Sequence, residues 1–414
     1  MEMMPGYKRT EIGMIPNDWE VKALKRISPD QSVGLVVNPS TYFDEAGTVP
    51  MLLGSNIEEG HIRWELARRI SEKSNRSLSA SRLAAGDLVM VRVGYPGVTA
   101  VVAPEIDGCN CASMMIVRRH SSFDSRWLCS IMNSRHGRNQ VEHVQYGTAQ
   151  KQFNISDAIN FSYAVPPLAE QRVIADVLSD MDTLIEAIEQ LLAKKRDVKQ
   201  GAMQELLSGK RRLPGFSGTW KEKMIGDFTD CTAGGTPSTR VPAYWGGNIR
   251  WMSSGELHLK RVFEVEGRIT EAGLKSSSTQ LVPAQCVLIG LAGQGKTRGT
   301  VAINMVPLCT NQSIAAIFPN GSFEPLFLYY NLDTRYDELR ELSSGDGGRG
   351  GLNLTLIRSL RVPLPPTKEE QGAIASVLAD IDEEISAVEQ KLAKARLVKQ
   401  GMMQELLTGR IRLV

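Results

Sequence analysis

Residues 170–213 align without a gap on residues 370–413, an offset of 200, and 28 of the 44 pairs are identical. Val198-Lys199-Gln200-Gly201 returns as Val398-Lys399-Gln400-Gly401, and Met203-Gln204-Glu205-Leu206-Leu207 as Met403-Gln404-Glu405-Leu406-Leu407. Fainter echoes fall at nearly the same offset. Ile15-Pro16-Asn17-Asp18-Trp19 answers Phe216-Ser217-Gly218-Thr219-Trp220, and Asn154-Ile155-Ser156 answers Asn353-Leu354-Thr355. Solenoid units run to roughly 20–45 residues, so this period is far too long for one. The pattern predicts two half-chains, each a globular part followed by a near-identical segment.

The repeated segments read as helices. Ile174, Leu178, Met181, Ile185, Ile188 and Leu192 are spaced 4-3-4-3-4, and Ile374, Leu378, Ile381, Ile385, Val388 and Leu392 repeat that spacing. This is the apolar seam of a heptad helix. Pro166-Pro167 and Pro365-Pro366 precede the starts, where proline is tolerated, and Gly209 and Gly409 fall where a C-terminal cap belongs. Residues 166–193 hold six acids and one base, residues 194–213 two acids and seven bases. That order complements the helix dipole, and the tails Lys210-Arg211-Arg212 and Arg410-Ile411-Arg412 are assigned the same role. Some 40 residues at 1.5 Å each make a rod of roughly 60 Å. Such a rod buries its seam either in the core of its own half or against the other rod. Near-identity favours mutual packing, and a pseudo-two-fold relation makes the pair antiparallel.

The parts between read differently. Short β-type runs (88–93, 99–102, 114–117, 286–291, 314–318) are separated by Gly, Pro and Ser clusters, with short helices near 123–133 and 325–332. The expected fold class is α+β: two mixed, mostly β domains at 1–165 and 214–364, with helical spacers at 166–213 and 365–414. Hydrophobic residues make up 42 % and charged residues 23 %, which excludes wholesale disorder. No apolar run approaches the roughly 20 residues needed to span a bilayer. The first residues lack a basic stretch followed by an apolar core, so no secretory signal is expected. Six scattered cysteines suggest reduced thiols and a cytoplasmic location.

Catalytic patterns fail one by one. Gly290-Leu291-Ala292-Gly293-Gln294-Gly295-Lys296-Thr297 fits the phosphate-cradling P-loop. A working P-loop opens a helix, whereas Gly299-Thr300-Val301-Ala302-Ile303-Asn304 alternates like a strand. Residues 290–299 are therefore read as a glycine-rich hairpin connection. Pro166-Pro167 and Pro365-Pro366 lack the amide or carboxylate and the aromatic with which an adenine methyltransferase holds a flipped base. The five histidines form no HExxH pair, and no G-x-S-x-G elbow occurs. Cys109-x-Cys111 has no second ligand pair at finger-like spacing, so no metal site is expected. The chain is expected to be no enzyme and to bind no cofactor itself.

Recognition remains. Net charge is only +2, so any nucleic-acid surface must be local. Polar loops recur at matching places in both halves. Gln, Asn, Arg and Ser read base edges and hold phosphates, although each such loop taken singly is more often a solvated turn. The candidates for DNA contact are Ser55, Asn56, Arg118, Arg119, Thr148, Gln150, Lys151 and Gln152 in the first half. In the second they are Thr236, Ser238, Thr239, Arg240, Ser253, Ser254 and Arg349.

Two variable parts, each followed by a helical segment with Pro-Pro and Glu-Gln at its start and Met-Gln-Glu-Leu-Leu-(Ser/Thr)-Gly at its end, resemble the specificity subunit of type I restriction–modification systems. Gly234-Gly235-Thr236-Pro237-Ser238, Tyr244-Trp245-Gly246-Gly247 and Trp251-Met252-Ser253-Ser254-Gly255 resemble the opening of that family's target-recognition domains. The resemblance spans essentially the whole chain. It implies that each domain reads one half of a split, asymmetric DNA site and that an antiparallel coiled coil sets the gap. It further implies two docked methyltransferase subunits that use S-adenosylmethionine on adenine, and restriction subunits driven by ATP and Mg. Those cofactors are expected on the partners. The near-neutral charge suggests that partners supply much of the phosphate contact. The residues alone leave open a P-loop enzyme with a coiled-coil arm, or a coiled-coil protein scaffold that reads no DNA.

Overall fold

The computed structural model describes residues 5–148, 150–293, 295–342 and 351–413. They form two compact units: residues 1–189 with 390–414, and residues 190–389. The division cuts both long helices, Leu168–Leu206 and Lys368–Leu406, so each unit owns a stretch of each.

In the first unit a four-stranded antiparallel sheet runs in the order Thr99–Val101, Leu88–Val91, Met114–Val117, Gln31–Val33. Alternate residues of a strand point to opposite faces, and here both faces are apolar. Leu88, Met90, Met115 and Val117 join a core with Trp19, Trp127, Leu128 and Tyr163. Val89, Val91, Met114 and Ile116 join a second core with Leu52, Ile57 and Cys111. Burial on both sides explains why these runs are continuously hydrophobic instead of alternating. A smaller sheet, Asn110–Cys111, Val49–Leu52 and Arg68–Ile70, includes a parallel pairing. Helix Ser125–Asn133 is capped by Asp124, whose carboxylate accepts from the backbone N–H groups of Arg126 and Trp127.

The second unit repeats this plan. Its main sheet runs Cys231–Ala233, Ile314–Ile317, Val287–Gly290, Val301–Asn304, Arg261–Val262. Val287, Ile289, Ala315 and Ile317 face one core and Leu288, Ile314 and Ala316 the other. The smaller sheet of Arg268–Ile269, Trp245–Met252 and Cys309–Thr310 again contains a parallel pair. The expected strands all appear within two residues of their expected ends, as do the short helices, at Ser125–Asn133 and Pro325–Asp333.

Within each unit the two helix stretches run antiparallel. In the first, Arg396 binds Glu189 at 2.6 Å and Lys399 binds Asp182. In the second, Lys195 binds Glu384, Arg196 binds Glu389 and Lys199 binds Asp382, each at 2.6 Å. Both ways of burying the seam are used. Ile174 and Leu178 sit in the first unit's core together with Leu406 and Leu407, as Ile374 and Leu378 sit in the second's with Leu206 and Leu207. Leu192, Val388 and Leu392 are buried further along, while Met181, Ile185, Ile188, Ile381 and Ile385 are half-buried.

Gly409 closes the second helix as expected. At φ +69° it lets its own N–H reach the Leu406 carbonyl and the Arg410 N–H reach that of Glu405. The basic tails correct the sequence reading. Helix α-geometry stops at Leu206 and Leu406, so Arg212 and Arg412 lie beyond the last turn, where the dipole has faded. Each instead grips a buried carboxylate. Arg412 holds Glu170 (2.5 and 2.8 Å) and Asp18 (2.8 and 3.0 Å), and Arg212 holds Glu370 (2.5 and 2.7 Å).

Candidate nucleic-acid interface

In each unit one end of the main sheet gathers the loops that the sequence singled out. In the first unit this is the end where Val91 faces Met114. Strand Leu88–Val91 leaves there into the 92–98 hairpin. Val93 bridges Gln152, and the Gly94 N–H donates to the Lys151 carbonyl at 3.0 Å. The 53–56 turn comes to the same end. Gly54 packs so closely that a Cβ would lie 3.2 Å from the Val91 Cγ1. Ser55, Thr148, Gln150 and Lys151 are exposed there, with Gln152 half-buried.

Three candidates stand apart. Asn56 is buried; its carboxamide accepts from the Leu53 N–H at 2.9 Å and shapes its own turn. Arg118 and Arg119 follow Val117, which pairs with Leu88, so they sit at the opposite end of the sheet. Arg118 is bound to the buried Asp87 at 2.7 Å and to the Arg82 and Ala80 carbonyls, and Arg119 donates to the Ala85 carbonyl at 3.0 Å. A four-residue strand separates the two ends, and a basic cluster in sequence gives no sign of which end it reaches.

In the second unit the corresponding end is where Gly290 faces Ile314. Gly235 donates to the Thr310 carbonyl at 2.8 Å and accepts from the Trp251 indole at 2.9 Å. A Cβ on Gly234 would lie 2.0 Å from the Thr310 carbonyl oxygen, so only glycine permits this approach. The Thr236 hydroxyl donates to Gln312 at 2.6 Å, and Ser238, Thr239 and Arg240 are exposed beyond it. Ser253 is spent as a cap, its N–H and hydroxyl both on Glu256. The Ser254 hydroxyl accepts from Asn311 at 3.5 Å. Arg349 lies outside the described residues, as do Ala149 and Gln294.

Residues 291–293 and 295–299 belong to this end. Strand Val301–Asn304 follows it, so the helix that a P-loop requires is absent. Arg340 and the Tyr336 hydroxyl hold the carbonyls of Gly295 and Lys296, and the Lys296 side chain is exposed. Exposed Val36, Val37 and Tyr95 in the first unit, and Gln312 and Lys296 in the second, are members of these ends that the sequence reading did not nominate for DNA. The glycines flanking Tyr95 and Lys296 were the available signal.

A groove of about 1050 Å³ in the first unit is lined by Arg135, Arg138, Arg396, Lys399 and Arg410. Glu189, Asp182 and Glu405 neutralise the last three. Among the described residues no three His, Cys, Asp or Glu side chains gather to hold a metal. All six cysteines are buried and free, and burial pushes the Cys109, Cys129 and Cys286 thiols up to about 12. Thiols so protonated are inert as nucleophiles. No helix among the described residues is long and apolar enough to cross a membrane.

Comparison with known proteins adds the following. The family model of the type I restriction modification DNA specificity domain matches residues 73–194 and 217–396. A putative type I restriction enzyme MjaX specificity subunit of Methanocaldococcus jannaschii is 24 % identical, covering 98 % of this chain and 96 % of that one. The MjaIX specificity subunit of the same organism is 32 % identical over 40 % of this chain and 38 % of its own. The fold is similar to that of the S subunit of a type I restriction–modification system from M. genitalium. The TM-score is 0.61 at 14 % identity, over 98 % of this chain and 99 % of that one.

Proposed function

The chain belongs to the type I restriction–modification DNA specificity family, and on that premise we propose that each of its units reads one half of a split, asymmetric DNA sequence. A specificity subunit supplies recognition and no chemistry. One observation carries the two-half reading. The same sheet end is built twice from buried, matching strands, and the hairpin that leaves it carries a different exposed side chain in each unit, Tyr95 in one and Lys296 in the other. Two different readers on one framework suit an asymmetric site.

The long helices are the spacer in this reading. Each is 39 residues, and a helix pair tied by cross-helix ion pairs is stiff where a Gly/Ser linker is not. Fixed spacing raises the effective concentration of the second half-site once the first is bound. Methyltransferase subunits carrying S-adenosylmethionine dock on the chain, and restriction subunits with ATP and Mg join them, all in the cytoplasm. With a net charge of +2, this chain leaves much of the phosphate contact to those partners, so its own affinity is weak and salt-sensitive.

Methylated adenines are to be mapped across the genome of the source cell with and without this gene. Loss of one split motif with a fixed gap is the expected result. Loss of a continuous motif, or an unchanged map in cells where the chain co-purifies with a methyltransferase subunit, overturns the reading.

A further inference from the structure

We infer that Tyr95 is the base-contacting wedge of the first unit, a side chain that stacks against the bases of its half-site, an inference that rests on the DNA-reading function proposed above. A single exposed apolar residue ordinarily needs no explanation. Tyr95 differs in how it is held. It is 82 % exposed, while Pro96 and Gly97 beside it are buried. The hairpin beneath it is pinned on both sides. The Gly97 N–H donates to the Val91 carbonyl, the Val91 N–H to that of Val98, and the Gly94 N–H to that of Lys151. Gly94 and Gly97 take φ of +95° and +91°, which side chains rarely adopt, and a Cβ on Gly97 would meet Val141 at 2.8 Å. The loop is thus a rigid stalk, and its tip is an aromatic ring whose hydroxyl has no partner among the described residues.

A rigid aromatic offers large contact area at little cost in rotamer freedom, the economy that preorganised binding surfaces exploit. Its placement selects the occupant. The stalk is tied through Lys151 and Gln152 to the polar loop at the reading end of the unit, so whatever that loop reads lies before the ring. Duplex DNA offers an aromatic ring the faces of partly unstacked bases. The second unit's hairpin carries Lys296 at its tip instead, so the wedge belongs to one half-site only.

The test uses the chain assembled with its methyltransferase subunits and duplexes carrying the split site found by methylation mapping. 2-Aminopurine is placed in turn at each step of the first half-site. Wild type is expected to raise its fluorescence at one step. Tyr95→Phe keeps the rise. Tyr95→Ala abolishes it and weakens specific binding about tenfold, with the salt dependence and the second half-site unchanged. If wild type prefers no sequence, the proposed function and this inference fall together. If wild type binds its site and Tyr95→Ala matches it in affinity and fluorescence, only the inference falls. It falls equally if Tyr95→Ala prevents the subunits from assembling, since the ring then serves a protein partner.

Discussion

In the first unit the strand after Asp87 turns at a glycine-pinned hairpin tipped by Tyr95; in the second, the matching strand turns at a hairpin tipped by Lys296. The strands below both tips are fully buried on two faces, and in each unit their residues alternate between that unit's own two cores. The framework tolerates little change because every side chain in it is packed. The backbone of each hairpin is held, but the Tyr95 and Lys296 side chains are exposed and free to diverge. One chain can therefore keep a single fold twice and present different side chains at the end proposed to face DNA in each copy.

The sharpest way to break this comparison is to exchange residues 214–364 for the corresponding domain of another family member. If the units read independently, the methylated motif changes completely in one half and not at all in the other. A change in both halves would show that the reading surfaces are coupled.

A smaller effect separates the two buried carboxylates. Glu170 is 1 % exposed and accepts from Arg412 and from the Trp19 indole at 2.9 Å. Glu370 accepts from Arg212, but the Trp220 indole N–H, unlike that of Trp19, is buried with no hydrogen-bond partner among the described residues. Arg212→Ala thus leaves a buried charge without a side-chain donor and is expected to cost about 3–5 kcal/mol. Arg412→Ala leaves Glu170 its indole and costs about 2–3 kcal/mol; the exposed Asp18 pair adds little. Calorimetric melting of the two variants checks the order. Equal losses would show that the indole contributes nothing.

These locks also mark where sequence reading ran out. The seam was legible because its period is local: residues three and four apart share a helix face, and the pattern occurs twice. The strands of the main sheet were legible as short apolar runs for the same reason. Glu170-Gln171 and Glu370-Gln371 were visible as repeats, yet nothing near them in sequence shows that they are buried, since Arg412 lies 242 residues from Glu170 and Arg212 lies 158 residues from Glu370. Loop composition singles out Thr148, Gln150, Lys151 and Gln152, and Thr236 to Arg240, which the fold places at one end of the main sheet of their units. It gives no sign that four strand residues carry Arg118 and Arg119 to the other end of the sheet. It does not show that Tyr95 is exposed at the same end, because the sequence gives no sign of where a hairpin tip lies relative to the other loops.

Lys296 gives the smallest effect and the finest distinction. Its motif invites a nucleotide, but the chain continues into a strand, so its exposed side chain sits in a hairpin at the sheet end proposed to face DNA. A point charge there attracts backbone phosphate without reading sequence. Lys296→Ala is expected to weaken binding of the assembled complex evenly across sequences and to reduce the slope of log affinity against log salt by about 1. ATP handling stays unchanged. Loss of ATP dependence would restore the nucleotide reading, and an unchanged salt slope would remove the phosphate contact. Tyr95→Ala serves as the counterpart: an uncharged ring releases no counterions, so its loss lowers specific affinity at constant slope. The two hairpin tips are then distinguished by the same titration, one by its intercept and the other by its gradient.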